Sequence, residues 1–192
     1  MPPPDAARTQ SWLIAPEDQR RQLWKNGGGT TTEVALAQDG GGVLWRVSIA
    51  GVTADGPFSL FPGMERTLAV IDGTGLRLSV DGAPPVTVTP SAAAFRFSGD
   101  SSVACTLAGG AVRVFNLMVD RTRLSGDVRR VTPAQPVAVT AATVLVYALD
   151  GDALVCAGEN QWRLPAGHAL RVDGADGIET HGDAMLAVVG PL

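Results

Sequence analysis

Histidine is nearly absent from this chain of 192 residues: there are two, His168 and His181, and the first half has none. A segment without imidazole lacks the usual neutral-pH base and a common metal ligand. Cysteine is as scarce. Cys105 and Cys156 lie far apart in alternating apolar runs, so they read as buried reduced thiols and not as a metal pair. Lysine occurs once, at Lys25; the other fourteen of the fifteen basic residues are arginine. Charge is low, at 18% with a net of -4, which argues against a nucleic-acid binder. No apolar run approaches the ~18 residues that span a bilayer. Met1-Pro2-Pro3-Pro4-Asp5 lacks the basic and apolar regions of a signal peptide. A cytoplasmic protein is expected, with no nucleic-acid partner, no membrane partner and no cofactor.

What is present is β pattern. The hydrophobic fraction, 45%, suffices for a sizeable core in one large domain or two small ones. Residues 1–10 read as a disordered lead, Ser11–Ile14 as a short strand, and Ala15–Gln22 as a short helix opened by Pro16-Glu17-Asp18. Thr30–Leu36 and Val43–Ile49 form a hairpin with a loose loop over Asp39–Gly42. From Thr67 on, period-two runs are separated by Asp-Gly turns, as in a sandwich or barrel. Ser125–Pro136 reads as a linker, and shorter strands follow from Thr143 to Val189.

The halves repeat. Val70-Ile71-Asp72-Gly73 with Leu76-Arg77-Leu78 matches Ala148-Leu149-Asp150-Gly151 with Leu154-Val155-Cys156, and a later match falls at nearly the same offset. A strand ending in Asp-Gly, a hairpin strand, then Pro165-Ala166-Gly167 and another strand resembles the cupin barrel. The resemblance implies an all-β, double-barrel cupin of the jelly-roll kind: a lead over 1–10, a first barrel over 11–124 with the site, and a degenerate second barrel over 125–192. In metal-binding cupins, counting back seven from the closing glycine, here Gly73, reaches a glutamate ligand; here it reaches Arg66. The two histidine positions fall on Leu60 and Pro62, or on Ser59 and Phe61, and the later one on Leu170, with His168 displaced from it. No metal is therefore expected. An arginine in the glutamate's place repels a cation and attracts an anion. The equivalent position in the second half is Val144, so that half reads as scaffold.

Trp24-Lys25-Asn26-Gly27-Gly28-Gly29 stands out, because three glycines in a row cost backbone entropy without a geometric or functional reason. With Thr32-Glu33, Trp45 to Ala50, Asp55-Gly56-Pro57-Phe58-Ser59, Phe61-Pro62-Gly63, Arg66, Phe97 to Asp100 and Phe115 to Met118, it resembles the HutD/Ves family, in order across residues 24–118. The resemblance implies a metal-free cupin associated with histidine utilisation. It further implies binding of a pathway intermediate such as N-formylglutamate and a limit on flux, as proposed for the HutD branch; the Ves branch is described as stress-related. One position departs: the family often has an aspartate before Phe-Asn, where this chain has Val114.

The ligand site is expected from Lys25, Asn26, Gly27, Gly28, Ser48, Ser59, Arg66 and Asn116. Arg66 shares strand parity with Leu68 and Val70, so it should enter the interior and there require an anion, either a ligand or Glu33 or Glu65. Lys25 and Asn26 offer an ammonium and an amide from the glycine loop, and Lys25 is expected to be the second cation that, with Arg66, suits a dicarboxylate. Trp45 reads as core, with Ser48 on its face. Asn116, set between Phe115 and Leu117, is a buried network residue or a ligand contact. Arg77, Arg96 and Arg113 read as solvated. A small-carboxylate binder is expected and no catalytic residue is assigned; a metal-free isomerase or epimerase and an interaction module are the rivals. A homodimer is compatible with each.

Overall fold

The structure is a computed structural model that describes residues 9–24 and 27–192, apart from the side chain of Ala175. The strands are β1 (Gln10–Ile14), β2 (Arg20–Leu23), β3 (Gly29–Asp39), β4 (Gly42–Val52), β5 (Gly56–Pro57), β6 (Met64–Asp72), β7 (Leu76–Val80), β8 (Val86–Val88), β9 (Phe95–Ser98), β10 (Val103–Leu107), β11 (Val112–Asp120), β12 (Leu124–Val131), β13 (Val137–Ala148), β14 (Ala153–Ala157), β15 (Asn160–Leu164), β16 (Ala169–His181) and β17 (Ala184–Pro191). A 3-10 turn at Pro16–Asp18 is the only helical segment among the described residues. Among the described residues no helix is long and apolar enough to cross a membrane. The lead expected over 1–10 falls almost wholly outside the described residues.

The chain divides into two compact units. One spans residues 17–128 and carries two sheets, in the orders β2-β3-β4-β11-β6-β9 and β5-β10-β7-β8. Between them lies a core that includes Val52, Leu68, Val70, Leu76, Leu78, Phe97, Val103, Cys105 and Val114. Burial, and then the nearby Asp55 carboxylate, push the Cys105 thiol up to about 11, so it stays protonated, as expected of an inert core thiol. The other unit joins the N-terminal residues to 129–191. Its sheet runs β12-β17-β13-β16-β14-β15, with β1 on β16, around Val144, Val146, Leu164, Leu170, Ile178 and Leu186.

Four local expectations differ from the structure. β1 pairs with β16, Trp12 opposite Arg171, so residues 11–16 group with the C-terminal unit, and the chain divides at 128/129 where 124/125 was expected. The helix at 15–22 is one 3-10 turn followed by β2, whose pairing with β3 overrides the weak first-turn signal. The linker at 125–136 is largely β12. The β3–β4 loop is tight: Asp39 pairs with Gly42, leaving Gly40-Gly41 as the turn. The repeated run gives the same succession twice: β6, an Asp-Gly turn and β7, then β13, an Asp-Gly turn and β14.

Candidate functional site

Three adjacent strands build the floor of a cavity of about 650 Å³ in the unit of residues 17–128. β11 lies between β4 and β6, and its register places residues from all three strands on common rungs. Met118 stands opposite Arg46 on one side and Arg66 on the other. One rung on, Asn116 stands between Ser48 and Leu68. Directly opposed residues point to the same face, so the floor presents Arg46, Met118, Arg66, Ser48, Asn116 and Leu68 together. Ala50, Val52, Leu68 and Val114 belong both to this lining and to the apolar core, so the cavity is a continuation of the interior.

The loop after β5 forms one wall. Phe58 N donates to Val103 O at 2.9 Å, Phe61 N to Gly99 O at 2.8 Å and Gly99 N to Met64 O at 2.8 Å, which fold the Gly-Pro-Phe-Ser block over the cavity. The glycine stretch shapes the opposite wall. A Cβ at Gly29 would fall 2.2 Å from Gly51 O and 3.1 Å from the Trp24 ring, so glycine here lets β4 and an indole approach. Trp24 Nε1 donates to Thr31 Oγ1 at 2.8 Å, and both residues line the cavity. Gly27 and Gly28 make backbone bonds, Gly27 N to Trp24 O and Thr53 N to Gly28 O, and are not in the lining. Lys25 and Asn26 lie outside the described residues.

Arg66 dominates the chemistry. It is 6% exposed and lines the cavity together with Leu68 but without Thr67, as the expected parity requires. Its guanidinium carbon lies 4.7, 5.1 and 5.6 Å from the ring centres of Phe97, Phe61 and Phe58. Nη1 donates to Ser59 O at 3.1 Å, while Nε is buried without a hydrogen-bond partner. Three desolvated cation–π contacts, at up to ~2 kcal/mol each, are comparable with the several kcal/mol that burying an ion costs. They make the buried cation tolerable without supplying an acceptor. Glu33 and Glu65, the structural partners weighed from sequence, are used elsewhere: Glu33 Oε2 accepts from Arg46 Nε at 2.7 Å, and Glu65 lies 3.9 Å from Arg96. Burial, and then repulsion from Arg46, pull the Arg66 pKa down to about 10, so it remains cationic at neutral pH.

The other expected residues are placed as follows. Ser48 and Asn116 are buried and face the cavity. Ser48 does not share the face of Trp45; three residues apart on a strand means opposite faces, and Trp45 is absent from the lining. Ser59 lines the wall, where its carbonyl holds Arg66. Arg77, Arg96 and Arg113 are exposed. Val144 is fully buried in its own unit's core. Arg46 was missed as a site residue; the signal was its place two residues before Ser48 on the same strand face. Among the described residues no three His, Cys, Asp or Glu side chains gather as a metal-binding group.

A profile of the HutD family matches residues 16–188. The chain is similar to an uncharacterized 21.2 kDa protein in the hutC 3' region of Pseudomonas putida, 38% identical over 91% of this chain and 94% of that one. Protein Ves of Cronobacter sakazakii is 31% identical over 81% and 88%. The structure of HutD from Pseudomonas fluorescens SBW25 (formate condition) superposes with a TM-score of 0.83 at 35% identity, covering 95% of this chain and all of that one. The pirin YhhW of Escherichia coli, at 8% identity and a TM-score of 0.62 over 95% and 97% of the chains, shares the cupin-like fold alone.

Proposed function

From the premise that the chain belongs to the HutD family, we propose that it is a metal-free, double-barrel cupin-like protein that binds a small carboxylate metabolite and thereby limits flux through histidine utilisation. The observation that carries this reading is Arg66: a cation 6% exposed, lining a cavity, with an orphaned Nε and no ion pair among the described residues. A buried donor without an acceptor costs ~1–3 kcal/mol; Nε itself is fully buried, so a carboxylate in the cavity meets the terminal nitrogens and pairs with a charge that a neutral ligand leaves uncompensated. The hydroxyl of Ser48 and the amide of Asn116, one rung away, suit the polar remainder of a ligand such as N-formylglutamate. The P. putida relative's position beside hutC favours that pathway. A binder is favoured over an isomerase because the described lining holds neither histidine nor carboxylate to move a proton. The metal-free reading rests on Arg66 standing where metal-binding cupins carry a glutamate.

Calorimetry with N-formylglutamate, glutamate, urocanate and formate tests the reading. Arg66→Lys keeps the charge and loses the planar fork, so it should weaken the best ligand. Arg66→Ala should weaken it further, by ~2–5 kcal/mol for a desolvated pair. A folded Arg66→Ala protein that binds as tightly as wild type sinks the proposal.

A further inference from the structure

Arg46 is the second cation of the cavity and stands on the same rung as Arg66, with Met118 between them. Two inter-strand spacings put their Cα atoms about 10 Å apart. They are the only charged residues in the described lining. Repulsion from Arg46 contributes to the depressed Arg66 pKa, so the two guanidinium groups feel one another.

Arg46 is held from the far side. It also lines a neighbouring hollow of about 720 Å³, whose lining includes Glu33 and Asp120. There Glu33 Oε2 takes its Nε at 2.7 Å, with the two side chains 25% and 18% exposed. That bond engages one nitrogen, and among the described residues the two terminal nitrogens have no hydrogen-bond partner. The carboxylates of Glu33 and Asp120 disfavour an anion in the second hollow. An anion meeting Arg46 therefore does so from the side of Arg66.

Resting on the carboxylate-site reading, we propose that Arg46, positioned by Glu33, is the second anchor of the ligand, and that the cavity selects a short dicarboxylate over a monocarboxylate of the same length. The first carboxylate sits at Arg66 and the second at the terminal nitrogens of Arg46. Met118 and the rung of Ser48 and Asn116 flank the carbons between. Glu33 orients the Arg46 fork and also cancels one positive charge, which limits how tightly any dianion is held.

Glutarate and pentanoate test this, because they differ only in whether the far end is a carboxylate or a methyl. Titration calorimetry at fixed ionic strength should find glutarate bound at least tenfold more tightly by wild type. In Arg46→Gln that preference should fall below threefold, with pentanoate changed by less than threefold. Arg46→Lys serves if the glutamine variant does not fold, and the preference should fall at least threefold there too. Glu33→Gln keeps an acceptor for Nε and removes the competing charge, so glutarate should tighten more than pentanoate. The inference is overturned if wild type does not distinguish the pair, if the preference survives in Arg46→Gln, or if Lys25→Ala removes it and Arg46→Gln does not. Arg66→Ala with pentanoate keeps the two readings apart. Pentanoate binding that is lost there leaves the Arg66 site standing whatever Arg46 does; if neither acid binds wild type, both readings fall.

Discussion

At Arg66 burial opposes stability, and the proposed carboxylate would offset that cost only when bound. Its pKa near 10 means that folding disfavours the charged form. Below pH 10 both folded and unfolded chains hold the proton, and the desolvation penalty, offset in part by the three aromatic contacts, is fully present. Between about pH 10 and the ordinary arginine range the unfolded chain keeps a proton that the folded chain releases, so this residue's contribution to stability rises with pH. Arg66→Met should therefore raise the melting temperature of the ligand-free protein by a few degrees at pH 7, and the gain should shrink above pH 10. The same variant should show no thermal shift with the best carboxylate. A methionine variant markedly less stable than wild type at pH 7 would mean that the three phenylalanines and Ser59 O over-compensate the desolvation.

At the scale of elements, the loop of residues 58–64 delivers Phe58, Ser59 and Phe61 to Arg66, and Gly99 is its seat. A Cβ at Gly99 would lie 2.2 Å from Phe61 O and 2.9 Å from Met64 O, and backbone carbonyls cannot swing aside. Gly99→Ala should shift this loop and weaken carboxylate binding tenfold or more with Arg66 intact, while pentanoate and glutarate are affected alike. Unchanged affinity in the folded variant would show that the loop wall contributes little. The β3–β4 pair works in the same way on the other side. Its length and register were only partly readable, because pairing beyond Leu36 and Ile49 rests on the close Gly40-Gly41 turn and on bulges after Glu33 and Ala37.

At the scale of the molecule, the described cavity and both arginines belong to the unit of residues 17–128. The other unit places Val144 and Leu170 at 0% exposure in an apolar core, at the positions corresponding to Arg66 and to a cupin histidine. Leu170→Ala should cost ~2–5 kcal/mol of stability, read by denaturant melts. Carboxylate affinity at a temperature where the variant is folded should stay within threefold of wild type. His168→Ala should behave likewise in binding, without the stability loss, since its ring makes one contact of 3.4 Å to Ala166 O. A tenfold loss of affinity in His168→Ala would show that the C-terminal unit takes part in the site.

Much was determined by sequence alone, because alternation and turn chemistry act locally. Period two placed Arg66 on the face of Leu68 and Val70, Asp-Gly pairs placed the β6–β7 and β13–β14 turns, and the ordered motifs from Trp24 to Met118 identified the family. Pairing across long separations is not local, and three outcomes depended on it. The register of β4, β11 and β6 put Arg46 on Arg66's rung; strand period gave Arg46 the face of Ser48 but not its neighbour across two strands. Glu33 went to Arg46 and not to Arg66, a choice between two cations that only side-chain reach decides. β1 went to β16, about 160 residues away in register, since a short strand pairs wherever an edge lies open to it. Strand period is a property of neighbours in the chain, whereas register and ion-pair choice are properties of neighbours in space.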